Sequence, residues 1–426
     1  MTPFEVRPQE RRALGWSLLY VFSVLSAYYV LRPIRDEMGV QGGVENLPWL
    51  FTGTLLGMIA LNPLFAALVK RLPPARFIAL SYRFFSFNLL LFAAGLYLSS
   101  ETQNVWLGRA FFIWLSVFNL FVVSVFWALM VDVFDTEQGK RLFGFLAAGA
   151  TLGAIAGSTI TASLVRGVGA TTLFFASMAL LEVAVFASRR LSFKAKKEEE
   201  APIGGGVLAG IAHTFRSPYL LNICAFLLLF TVTSTFLYFQ QATIARDSFA
   251  DRESRTAFFA QVDLAVNVLT LTLQLFVTAR ILRRLGIALT LGILPLFSTL
   301  GFLTLAVSPT IAVIVAFQVL RRAANFALAR PTREILFTVL SREDKYKAKS
   351  FIDTVVYRAG DQVGSWFYLL LSSFGLGIAG VALVAVPLSA LWLANSIWLG
   401  RSAERDRLRG ATGSRSAYSR ERENAP

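Results

Sequence analysis

Apolar stretches about 20 residues long recur along the whole of this 426-residue chain, and that recurrence narrows its possible folds more than any other property. Each is long enough to cross a hydrocarbon layer as a helix at ~1.5 Å per residue. Twelve such segments can be read: 13–37, 47–69, 77–98, 105–131, 142–165 and 168–188, then 218–241, 257–281, 287–307, 310–330, 350–372 and 376–399. Composition closes the water-soluble alternative. With 55% hydrophobic and only 16% charged residues, and a mean hydropathy of +0.60, polar side chains cannot cover the apolar surface. The expectation is an all-α integral membrane protein of twelve transmembrane helices. The 38 Phe and 8 Trp suit lipid-facing surfaces and interfacial anchoring.

The formal charge of +15 would suit a nucleic-acid partner, but its distribution does not. Lys and Arg fall in short blocks between apolar segments. Placing the N-terminus in the cytoplasm puts 30 of the 41 in inner segments, 6 in outer loops and 5 within spans. A missed or extra helix would invert the alternation downstream, so the count supports twelve spans with both termini cytoplasmic. Twelve residues precede the first segment, and Arg7, Arg11 and Arg12 flank it. The segment reads as a retained helix rather than a cleaved leader, and a bacterial plasma membrane is the expected location. One Cys (Cys224) and one His (His213) leave no disulfide framework and no metal cluster. No nucleophile–base pair and no Walker motif can be read, so neither enzymatic activity nor a cofactor is expected.

The one sharp compositional break is RRLSFKAKKEEEAPIGGG at 189–206. It divides the chain into a six-helix half (1–188), a linker (189–217), a second six-helix half (218–400) and a basic tail (401–426). Just past the Gly triplet, Val207, Leu208, Ile211 and Phe215 share one helical face, which predicts an interfacial helix. The halves echo one another. A shift of 207 places Lys140 on Lys347, Gly153 on Gly360 and Gly157 on Gly364. Gly149, Gly153 and Gly157 form a small-residue ladder that permits close helix approach, either as static packing or as a sliding seam. Six plus six helices with such echoes is what a major facilitator architecture requires. That fold holds its solute near mid-membrane and alternates access between the two sides.

A charge at a helix centre costs about 2.5–3.5 kcal/mol on insertion scales, so each one needs a reason. Arg32 and Arg35 lie at the end of segment 1, Arg83 in segment 3, Arg321 and Arg322 in segment 10, and Arg358 in segment 11. The deep acids are Asp263 in segment 8 and Asp361 in segment 11. Pairing within the bundle is one reading: Arg358 with Asp361 one turn on, Arg321 with an acid on a facing helix, Glu182 snorkelling or pairing near the cytoplasmic surface, and Arg83 bracing segment 3 against carbonyls. The other takes the surplus guanidinium groups as an anion site, since Arg clamps carboxylates and phosphates bidentately. Tyr28 and Tyr238 could line it. Asp263 and Asp361 are then the proton-coupling candidates.

Three stretches resemble the ATP/ADP translocase (nucleotide transporter) branch of the major facilitator proteins: YYVLRPIRDEMG, FWALMVDVFDTEQGKRLFGFLAAGATLG and PTREILFTVLSREDKYKAKSFIDTVVYRAGDQVG. With RSPYLL before segment 7, the similarity spans the chain. It implies the fold, a transport function, Arg35 as the basic nucleotide-contacting residue of helix 1, and Arg358 as the helix-11 arginine. Two positions depart. Asp361 stands where those translocases carry Lys, and Tyr238 stands near where they carry Glu. Reversing a charge weakens the potential that draws in a polyphosphate.

The leading expectation is therefore a secondary active transporter, an antiporter in the nucleotide version, for an organic anion, with ATP, ADP or another phosphorylated metabolite foremost. It would work as a monomer among membrane lipids with no nucleic-acid partner. The alternatives are a proton-coupled porter of a small neutral metabolite and a non-transporting membrane scaffold.

Overall fold

A computed structural model describes residues 6–71, 73–191, 214–215, 217–337, 349 and 351–423. The linker residues Val207, Leu208 and Ile211 and the basic loop containing Lys347 lie outside the described residues; Phe215 is exposed. Among the described residues every regular element is helical.

The first half contains α1 (Arg11–Gln41), α2 (Leu47–Arg71), α3 (Pro74–Leu98) and α4 (Glu101–Val133). A single helical run, Thr136–Arg189, follows, broken at Gly169 (φ 75°, ψ 163°). Its arms are α5 (136–168) and α6 (170–189). Hydropathy predicts two spans here with a short turn between them. The turn is one glycine in a backbone region that residues with a Cβ rarely enter, so the helices follow each other almost without a loop. Asp135 starts α5 by accepting from Gln138 N (2.9 Å), while Gln138 Oε1 accepts from Asp135 N (3.1 Å).

The second half contains α7 (Pro218–Ser248), α8 (Arg252–Phe276) and α9 (Thr278–Val307). α9 bends at Gly286 (φ 73°). Beyond the bend, Glu404 Oε1 accepts from Ile287 N (2.7 Å) and Ala288 N (3.2 Å), which caps the restarted helix. α10 runs from Ile311–Ala324 through a π-helical turn, Asn325–Ala329, into Arg330–Leu336. α11 opens with a second π-helical turn, Ile352–Val356, and continues as Tyr357–Ser373. α12 (Ile378–Glu423) continues as helix through the tail, which is rich in the helix formers Arg, Glu and Ala.

Among the described residues, ten stretches are long and apolar enough to cross a membrane. One is the 49-residue Arg141–Arg189, which the Gly169 break makes into two. The remaining helix, α11, carries Asp353, Arg358 and Asp361, which lower its hydropathy. Together these give twelve.

The chain forms two compact units. One comprises Met1–Glu200 with Gln241–Val268, the other Ala201–Gln240 with Leu269–Pro426. In the first, α1 is the central helix, with Val24, Ala27, Val30 and Leu31 fully buried. It lies directly on the glycine ladder of α5. A Cβ on Gly157 would collide with the Ser26 carbonyl, and one on Gly149 would sit 2.7 Å from Leu18. Gly153 is crowded by the Phe22 backbone, and Ser26 Oγ donates to its carbonyl at 2.9 Å. Thr161 Oγ1 and Ser177 Oγ donate to the Val30 and Ala27 carbonyls (2.9 and 3.1 Å), adding polar contacts where lipid offers no hydrophobic drive. The second unit repeats the arrangement with α11 on α7. A Cβ on Gly364 would lie 2.9 Å from Val232 Cα, and one on Gly360 would strike Thr231. The positions that echo in sequence thus make the same kind of close helix contact in both units.

Candidate functional site

The C-terminal part of α1 lies in the first unit against residues 241–268. Pro33 deprives α1 of one helical hydrogen bond beside Arg32 and Arg35. Arg32 Nη1 meets Asp263 Oδ1 at 3.0 Å, and its Nε is 4.0 Å from Asp36. Arg35 donates to Asp36 Oδ1 through Nη2 (2.6 Å) and Nε (3.0 Å), reaches Ser116 Oγ at 3.4 Å and lies 4.9 Å over the Phe112 ring. Buried Glu37 accepts from Arg255 Nη2 at 3.0 Å and from Arg252 Nε at 3.4 Å. Arg255 Nη1 also bonds the Phe249 and Ala250 carbonyls, both at 3.0 Å, closing the end of α7. Four guanidinium groups thus face three carboxylates across α1 and α8. Asn267 Nδ2 donates to the Asp263 carbonyl at 2.8 Å, one turn along.

Arg321 forms a different environment in the second unit. Its side chain is buried and its donors all meet neutral acceptors. Nε donates to Ser298 Oγ (2.9 Å), Nη1 to Ser234 Oγ (2.8 Å), and Nη2 to Thr233 Oγ1 (2.8 Å) and the Phe230 carbonyl (3.2 Å). The rings of Phe230 and Trp392 lie 5.4 and 5.8 Å from Cζ. Among the described residues no carboxylate pairs with it. Arg322 beside it is half-buried. One turn further on is the π-helical turn of α10, and Arg358 lies just past that of α11. Such turns recur where a helix is reshaped for function. Arg358 Nη1 meets Asp361 Oδ2 at 3.4 Å, the one-turn pair that the spacing allows. The PTRE and SFID stretches are joined by Arg333–Asp353 (3.3 Å), and Lys349 pairs with Glu334.

The remaining sequence candidates fall elsewhere. Arg83 is exposed and pairs with Glu182 on α6 at 3.2 and 3.3 Å, so it does not join Arg32 and Arg35. Tyr28 is buried, edge-on to Tyr29 at 5.3 Å. Half-buried Tyr238 packs beside Phe239. The sequence count of a guanidinium surplus is also corrected. It omitted Asp36 and Glu182, which the structure sets against Arg35 and Arg83, because both sit near segment ends. Glu37, Arg252 and Arg255 were missed as a group. Their sequence signal was the set of outer-loop arginines that resist the positive-inside pattern. The hydroxyl cradle of Arg321 was missed because Ser and Thr in an apolar segment carry no charge signal.

Residues 13–338 match the Major Facilitator Superfamily. The chain is 22% identical over 379 residues to ADP,ATP carrier protein 1 of Chlamydia trachomatis, covering 75% of this chain and 71% of that protein. It is likewise 22% identical over 357 residues to ADP,ATP carrier protein 1 of Chlamydia muridarum, covering 71% and 67%. Among solved structures, a bacterial homologue of the human lysosomal transporter Spinster, inward-facing and unoccupied, superposes with a TM-score of 0.61 at 12% identity over 94% of this chain and 99% of that one. The POT family transporter PepTSo gives 0.62 at 12% identity over 95% and 99%. At such identities the shared property is the fold. Twelve helices, the repeated glycine packing and these matches lead to one assignment: the chain belongs to the Major Facilitator Superfamily and is a multi-pass membrane transporter.

Proposed function

We propose that the protein is a secondary active transporter that moves an organic anion by alternating access, with a nucleotide or other phosphorylated metabolite as the preferred class. The observation that carries this reading is Arg321, a buried fixed positive charge held by three hydroxyls and a carbonyl. A protein-held cation with no carboxylate paired to it among the described residues is compensated most directly by an anionic solute. Its position beside a π-helical turn supplies a backbone that can yield. Arg35 and Arg358 assist, since both are bound to acids from which a bidentate phosphate could draw them. The ion pairs of α1 with α8 must loosen when that end opens. The ADP,ATP carrier relatives support the nucleotide version, while Asp361 beside Arg358 favours a less highly charged anion. The protein sits in a bacterial plasma membrane with both termini facing the cytoplasm, and the monomer is the working unit.

Reconstituted vesicles preloaded with ADP should take up labelled ATP, or a labelled organic phosphate from a panel, at rates abolished by Arg321→Met, Arg35→Ala and Arg358→Ala at normal expression. Uptake of a neutral solute with lumen acidification, unaffected by Arg321→Met, would sink the anion reading.

A further inference from the structure

A cavity of about 360 Å³ between α3 and α6 plays no part in solute transport as proposed above; it is lined by Arg76, Ala79, Leu80, Arg83 and Arg189. Arg76, Leu80 and Arg83 stand four and then three residues apart, on one face of α3. Glu182 and Arg189 are two turns apart on α6. The deeper rung is neutral, because Arg83 is paired with Glu182. The rung at the helix ends is not. Arg76 and Arg189 are both exposed, both line the hollow, and among the described residues neither is paired with an acid. Two like charges facing one hollow repel unless an anion lies between them. The flank of the hollow is apolar and outward-facing: Leu80, Phe84 and Phe186 are about half exposed, and Arg190 lies 4.9 Å over the Phe186 ring. A ligand here therefore needs an anionic head for the arginines and chains that run along Leu80 and Phe84.

We propose that this notch binds the headgroup of an anionic glycerophospholipid, with Arg76 and Arg189 clamping its phosphate. Basic pockets between transmembrane helices at the membrane surface suit such heads. The proposal rests on α3 and α6 spanning a bilayer and is independent of the transported solute.

The test uses the full chain in phosphatidylcholine nanodiscs with and without phosphatidylglycerol. Melting temperature and the phosphatidylglycerol retained in native mass spectra are the readouts. Phosphatidylglycerol should raise the wild-type Tm and remain bound. Arg76→Gln with Arg189→Gln should bind it about thirtyfold more weakly, from about fivefold per basic side chain, and lose most of the rise. Arg280→Gln, a basic change elsewhere, should keep it. If the double variant does not fold, each single variant should show its own fivefold loss. Wild-type retention in the arginine variants, or an equal Tm rise from inorganic phosphate alone, overturns the proposal.

Discussion

Removing Arg32 should do more damage than removing Arg32 and Asp263 together. The two meet at 3.0 Å, and their side chains are 17% and 3% exposed. At an effective dielectric of ~20, their gross attraction is about 5 kcal/mol, which desolvation largely offsets. The net worth of the pair is therefore small, while the cost of orphaning one partner is large. Arg32→Met removes the 3.0 Å cationic partner of a nearly enclosed carboxylate and should cost about 3–5 kcal/mol. Asp263→Leu leaves the more exposed Arg32, with Asp36 4.0 Å from its Nε, and should cost about 1–3 kcal/mol. The double variant should cost less than Arg32→Met alone, which requires a coupling larger than the cost of Asp263→Leu, about 3 kcal/mol. Each protein would be purified in detergent and unfolded by a graded denaturant, with tryptophan fluorescence giving the free energies and the four values forming a double-mutant cycle. Additive effects within about 0.5 kcal/mol would refute the claim that these residues, 231 apart in sequence, act as a pair.

Arg321→Met should leave melting within about 2 kcal/mol of wild type, because Ser234, Thr233 and Ser298 keep their bonds to carbonyls of their own helices at 2.6–2.9 Å; a collapse in thermal stability would mark Arg321 as purely structural. Gly364→Ala should cost about 1–3 kcal/mol by forcing α11 off the Val232 backbone. Gly144→Ala, where nothing lies within 4 Å, should be neutral or stabilising by up to about 1 kcal/mol, and equal thermal shifts for the two would contradict the packing account. Glu10 binds Arg141 through two hydrogen bonds (2.6 and 3.2 Å), which together hold its carboxyl below the ordinary value against the opposing effect of burial. Its stabilisation, about 1.5–3 kcal/mol, is present above the unfolded-state pKa and fades as pH falls through the depressed folded one. An acid titration of Tm should therefore be flatter for Glu10→Gln than for wild type; identical curves would remove Glu10 from the account.

Some of this arrangement could be read from residues alone because it depends on spacing along one helix. Arg358 and Asp361 are three apart, so one turn brings them together. Gly153, Gly157, Gly360 and Gly364 repeat in step, so each pair marks one smooth face. The break between α5 and α6 was legible as two spans but not as a single positive-φ glycine, because hydropathy does not report backbone angles. α11 was visible in the sequence despite the charges that lower its hydropathy, because its neighbours fixed the alternation of sides.

Hydrophobic length is a property of each segment by itself, and it determined the membrane setting and the all-α class of twelve helices. Which charge meets which depends on how separate helices are rotated about their own axes, and that is set by contacts between residues far apart in the chain. Only the tertiary structure could therefore turn Arg83 toward Glu182, bind Arg32 to Asp263 and Glu37 to Arg255, and set Arg321 among hydroxyls, with no acid paired to it among the described residues.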